Sequence, residues 1–152
     1  MKWTKDDVEK YASAKEYVDT AVIPVQSFQL SQDEHLVKEA FAGEVLTIYA
    51  NEIEKELSGR LLLTPTYTYN KQAGIESEIS RLNDWVKDIK AQPFEHVFLV
   101  TLDLDLKKQE RNLDGNLLWL PGLKPTSLQS QEAVQMIRSQ IEQISELIRS
   151  YW

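Results

Sequence analysis

The sequence predicts an α/β fold, a three-layer Rossmann-like or flavodoxin-like sandwich on a mainly parallel sheet of about four strands, in the order α-β-α-β-α-β-β-α. Three observations carry this. Short runs of apolar and β-branched residues alternate with longer segments whose apolar residues recur at helical spacing. One run, Leu61-Leu62-Leu63, is continuously apolar, as strands buried on both faces are. The balance of 42% hydrophobic and 27% charged residues keeps the chain far from the composition of disorder. At 152 residues it is expected to form one domain, residues 1–152, burying roughly 70% of the surface the unfolded chain exposes.

Thr4 is placed to cap a first helix over Lys5 to Asp19, with Asp6, Asp7 and Glu9 at its positive end. Its apolar face of Val8, Tyr11, Ala14 or Lys15, and Val18 is thin, which puts it on the rim of the core, with Trp3 stapling its start. Residues 21–28, AVIPVQSF, read as the first strand. Pro24 cannot donate to a ladder, so that strand is expected at an edge or locally broken. Ser31 and Glu34 spell a capping box for a helix from Gln32 to Leu57, whose stripe includes Val37, Phe41, Val45, Ile48 and Leu57. Gly43 offers close packing within it, and Ser58-Gly59 supplies its stop.

Arg60 to Thr68 reads as the second strand, with Pro65 ending it or starting its loop, and Tyr69 to Gly74 as a polar loop. Ile75, Ile79, Leu82, Val86 and Ile89 then form a helical stripe with Trp85 at its border, closed by Pro93. Residues 96–104, HVFLVTLDL, read as a central strand, its end alternating Leu102, Leu104 and Leu106 against Thr101, Asp103 and Asp105. A polar loop and the Asp114-Gly115 turn lead to a fourth strand, Asn116 to Leu120, whose direction the sequence leaves open, the late β-β pair suggesting an antiparallel edge. Pro125-Thr126-Ser127 opens the last helix, where Val134, Ile137, Ile141, Ile144, Ile148 and Tyr151 form either a face packed on the sheet or a coiled-coil seam.

Composition removes several function classes. A net charge of −7 repels phosphate backbones and anionic lipid, so nucleic acid is not an expected partner. No apolar run approaches the ~18 residues of a membrane span, and the N-terminus lacks a leader's apolar region, so a cytoplasmic location without membrane insertion is expected. With no Cys there is no disulfide framework, thiolate zinc site or cysteine nucleophile. His35 and His96 stand without metal-ligand spacing, and the aspartates do not complete an EF-hand, so no metal is expected. The five glycines lie too far apart for a phosphate cradle, no Ser sits in a hydrolase elbow, and no cofactor is expected.

Ligands of open α/β sheets bind beyond the carboxyl ends of strands. The residues this rule selects are Ser27, Gln29, Thr64, Thr66, Tyr67, Asn70 and Asp103, with Ser31, Thr68 and Asp105 beside them. Phe98 to Asp105, an apolar strand ending in D-x-D, resembles the first motif of haloacid-dehalogenase-type phosphatases. That resemblance implies Asp103 as nucleophile, Asp105 as acid/base and a magnesium ion. Lys107 stands where that family has a small β-branched residue, and no later acidic pair completes a magnesium site. The plainer reading makes both aspartates the solvent face of a strand end. The final Tyr151-Trp152 pair is expected to dock.

The opening MKWTKDDVEKYASAKEYVDTAVIPV, with Trp3, Ala14 to Thr20 and Pro24, resembles the YpiF-type family of small uncharacterised proteins from Bacillus-like bacteria. The resemblance implies a bacterial, cytoplasmic protein and brings no enzymatic motif. The expected function is a non-enzymatic binding or regulatory module, with a protein partner or a homodimer through the C-terminal helix. The alternative is a magnesium-dependent phosphoryl-transfer or hydrolytic enzyme using Asp103 and Asp105.

Overall fold

A computed structural model describes residues 1–124 and 128–152. Strand β1 (Thr20–Phe28) follows helix α1 (Lys5–Ser13), and α2 (Leu36–Glu56) leads to β2 (Leu61–Leu63) and β3 (Tyr67–Asn70). Then come α3 (Glu76–Ile89), β4 (His96–Thr101), the short α4 (Leu104–Lys108), β5 (Asn116–Trp119) and α5 (Gln131–Ser150). The sheet runs β2-β1-β4-β5, with β3 also on β1, and every ladder is parallel. This is the expected α/β sandwich. No helix among the described residues is long and apolar enough to cross a membrane.

The segment read as one strand is a single strand position in two pieces. β2 pairs with β1 from Thr20↔Leu61 to Val22↔Leu63, and β3 resumes on the same strand from Val25↔Tyr67 to Phe28↔Asn70. Between them Pro65 and Thr66 leave the ladder, after Thr64 N–H has given its last bond to Val22 C=O at 3.0 Å. That break corrects the expectation for Pro24. β1 is neither an edge nor broken: it lies between β4 and the β2/β3 position. Thr20 N–H and Val22 C=O bond towards β2, so by alternation the N–H that Pro24 lacks would face the gap in its neighbour.

The fourth strand is also corrected, since β5 runs parallel to β4 from Phe98↔Asn116 to Thr101↔Trp119. The stretch read as a polar loop supplies the crossover: α4 and a 3₁₀ turn at Glu110–Asn112 bury Leu106 and Leu113 against the sheet. Strand geometry ends at Thr101, so Leu102 to Asp105 do not alternate as an extended chain. Gly115, in the turn before β5, is where backbone and core meet most closely, a Cβ there lying 2.3 Å from Leu99 Cδ1. Gly115→Ala is expected to lower stability by about 1–3 kcal/mol through overpacking. Urea unfolding measures this, and an unchanged midpoint would contradict it.

Alternation along β1 and β4 divides the core into two layers. Ile23, Val25 and Leu99 meet Tyr11, Ile79, Leu82, Val86 and Leu106 on one face. Val22 and Phe98 meet Val45, Tyr49, Ile53, Ile141 and Ile148 on the other. The α3 stripe is buried as its spacing predicts, and Trp85 sits edge-on to Tyr67 at 5.1 Å. Ile137, Ile141, Ile144 and Ile148 of α5 are buried in the chain's own core, which leaves Val134 and Tyr151 as the exposed members of the supposed seam. The proposed start of that helix at residues 125–127 lies outside the described residues; Ser130 caps its first described turn, accepting from Ala133 N–H at 3.2 Å.

Local starts differ in detail. Thr4 caps α1 as expected, but that helix stops at Ser13 and Trp3 is exposed rather than stapled. A 3₁₀ turn at Asp33–His35 precedes α2, and the cap is not Ser31: buried Gln29 accepts Gln32 N–H on Oε1 at 2.8 Å. Val37 is 75% exposed, so the buried face of α2 begins at Gly43 and Val45. The terminal aromatics dock: Trp152 Nε1 donates to Thr20 Oγ1 at 2.8 Å, the Arg60 guanidinium lies 4.1 Å from the Trp152 ring centroid, and Tyr151 meets Phe98 edge-on at 5.1 Å.

Candidate functional site

β1 leads through α2 to one side, while β3 returns through α3 to β4 on the other side of β1. Connections that leave in opposite directions open a crevice beyond the carboxyl ends of the two central strands. A cleft of about 240 Å³ occupies it. β1 contributes Val25, Gln26 and Ser27; α2 contributes Lys38, Glu39, Ala42, Gly43 and Leu46; Lys71 follows β3, and Leu102 to Asp105 follow β4.

The turn after β4 is fixed by side-chain bonds. Buried Thr101 donates from Oγ1 to Val25 C=O at 2.9 Å and accepts Asp103 N–H at 3.0 Å. Asp103 caps α4, its Oδ1 accepting Asp105 N–H at 3.0 Å, and the Tyr69 hydroxyl donates to Oδ2. Half-buried Asp103 is therefore not the solvent face of a strand. Burial pushes its carboxyl above the usual carboxylate range, with the charges of Asp105 and Glu39 acting the same way and the Asp105 N–H opposing.

On the opposite wall, Gln29 Nε2 donates to Glu39 Oε2 at 2.8 Å. α2 approaches β1 closely where Gly43 has no side chain, since a Cβ there would lie 2.6 Å from Gln26 Nε2. Among the described residues the side chains of Gln26, Ser27, Lys38 and Lys71 have no hydrogen bond or ion pair. The cleft thus presents free donors of both neutral and cationic kind beside carboxylates that are partly satisfied.

Of the residues selected from the sequence, Ser27, Asp103 and Asp105 line this cleft. Gln29 stands behind it, holding Glu39 and the start of α2. Thr64 and Thr66 lie in the break between β2 and β3, and Asn70 accepts Gln72 N–H at 2.8 Å as the cap of the next turn. Tyr67 belongs to the α3 face, where its hydroxyl donates to buried Glu78, which also pairs with Arg81 at 3.0 Å. Burial first, and then Glu78, push the Tyr67 hydroxyl up to about 12. Gln26, Lys38, Glu39, Gly43 and Lys71 are lining residues that the strand-end rule did not select. The signal for Lys38 and Glu39 was their place in the helix that leaves β1.

At the other ends of the strands, Asp19, Glu95 and His96 form the one trio of acidic or imidazole groups among the described residues whose ligand atoms lie within 4.8 Å of one another. Arg60 already takes both Asp19 oxygens, at 3.0 and 2.9 Å, and holds that carboxyl below its usual range. The carboxylates of the cleft are not gathered in that way.

A family model described as "Protein of unknown function (DUF2487)" matches residues 9–152. "Uncharacterized protein YpiF" of Bacillus subtilis (strain 168) is 35% identical over 103 residues, 68% of this chain and 66% of that protein. The match thus spans just under two thirds of the relative's length. No solved structure matches the chain.

Proposed function

The chain belongs to the DUF2487 family, whose description assigns no activity, and from the strand-end cleft we propose a cytoplasmic, non-enzymatic module that binds a small polar ligand there. The observation that carries this is the set of unpartnered polar side chains, Gln26, Ser27, Lys38 and Lys71, around a concave site at the point where the strand order reverses. The net charge of −7 supports a partner other than nucleic acid.

The magnesium-dependent alternative has weaker support. Both oxygens of Asp103 already accept one bond each that holds the turn, and the lone pairs left suit it to accept a ligand's N–H rather than to swing out for attack. Magnesium needs convergent oxygens, and those of Asp103, Asp105 and Glu39 do not converge. A protein partner is favoured by a separate observation: Phe28, Leu30, Val37 and Leu104 are 46–75% exposed, and each lies in or beside a segment that lines the cleft.

Asp103→Asn tests the module reading without removing the helix cap, because Asn caps as well as Asp. The Asp103 carboxyl has a folded pKa above its unfolded value. Its contribution to stability is therefore full below the unfolded pKa and lost as pH rises through the folded one. The variant is expected to be more stable than the parent near pH 7, with the margin closing on acidification. A thermal-shift screen of small metabolites is expected to find a ligand that stabilises the parent, by about 2.7 kcal/mol at a hundred times its Kd, and stabilises the variant less. Magnesium-dependent phosphate release that Asp103→Asn abolishes would replace this reading with the enzymatic one.

A further inference from the structure

We propose that the ligand of the cleft is a small zwitterion of amino-acid type, its carboxylate held by Lys38 and Lys71, its ammonium by Asp103 and Asp105, and its apolar side chain against Leu46 and Leu102. This rests on the binding-module reading and narrows it to one class of molecule. Size decides first. About 240 Å³ lies below the ~300–1,000 Å³ of sites that enclose drug-sized ligands. An amino acid fits that space.

Charge decides next. The walls carry both signs, with Lys38 and Lys71 free of ion pairs among the described residues. A simple anion would answer the lysines and leave the Asp103 and Asp105 carboxylates facing a like charge. A simple cation would do the reverse. A ligand with one group of each sign gives Lys38, Lys71, Asp103 and Asp105 opposite partners, while Glu39 is already held by the Gln29 amide at 2.8 Å. The apolar wall then has a role, because Leu46 and Leu102 line the same space and offer no polar group.

The test is an amide NMR titration of the full chain with the proteinogenic L-amino acids, L-leucine among them. Each binder is then compared with its decarboxylated amine and its deaminated acid. The expected result is binding that shifts the Gly43 and Asp105 amides, with each analogue at least about tenfold weaker, the scale of one lost charge-assisted hydrogen bond. Lys71→Gln, at an exposed position, is expected to weaken the amino acid and leave the amine unaffected. An acid or amine that binds in the cleft as tightly as the amino acid overturns the zwitterion and keeps the binding module. Absence of shifts with every amino acid also overturns it, and the module reading is then decided separately by the metabolite screen. Amino-acid binding that leaves Gly43 and Asp105 unshifted overturns the assignment to this cleft.

Discussion

Phe98→Ala is expected to lower the unfolding free energy by about 3–5 kcal/mol. Phe98 lies in the middle of β4, fully buried, with α2 and α5 packed over it and Tyr151 edge-on to its ring at 5.1 Å. Truncation removes apolar surface from the layer that joins two helices to the sheet, and the walls of the resulting cavity belong to regular elements that cannot collapse far into it. The docked C-terminal residues lose a contact at the same time. Against a total stability of about 5–15 kcal/mol for ordinary domains, this is a large share. Urea unfolding with an unchanged slope measures it, and a loss below about 1 kcal/mol would mean the two faces are far more loosely packed than the burial indicates.

Leu106→Ala is expected to cost about 2–5 kcal/mol and to weaken ligand binding in the same variant. α4 has five residues, too few for a helix to persist on its own. Its anchor is Leu106, fully buried in the layer beneath α3. At its start stands Asp103, whose place depends on the first turn keeping its N–H groups aimed at the carboxylate. Loss of the anchor therefore reaches the cleft without altering any group that lines it. Faster hydrogen exchange at the Asp105 amide, under conditions where the variant remains folded, is the direct readout. Unchanged exchange with a large stability loss would separate the core from the site.

The parts of this fold that the sequence announces are those set by local periodicity. Ile79, Leu82 and Val86 repeat at helical spacing because one face of α3 meets the sheet, and the same holds for the isoleucines of α5. Pro24 misleads because its tolerance depends on a gap in a strand about forty residues away in sequence. The direction of β5 was hidden because α4 is one turn with a single buried leucine, which no period reveals. In the cleft, Ser27, Asp103 and Asp105 follow from the rule for strand ends. Lys38, Glu39 and Lys71 become neighbours only when α2 is laid on β1 and β3 beside it, a tertiary fact without a signature in spacing. Gln29 reads as a loop residue, and only the fold shows it buried and bonded to Gln32 in the connection and to Glu39 of α2.

The break between β2 and β3 has a consequence for the cleft. A nine-residue β1 faces one piece of three residues and another of four, with no ladder joining them. β2 is wedged between the two core layers, whereas β3 carries Tyr69 against Asp103 and delivers Lys71 to the cleft. Detaching β3 breaks four pairings with β1 and none with β2. One wall of the cleft is therefore mounted on a short panel of its own, held to the body of the sheet by the β1 ladder and by the buried rings of Tyr67 and Tyr69.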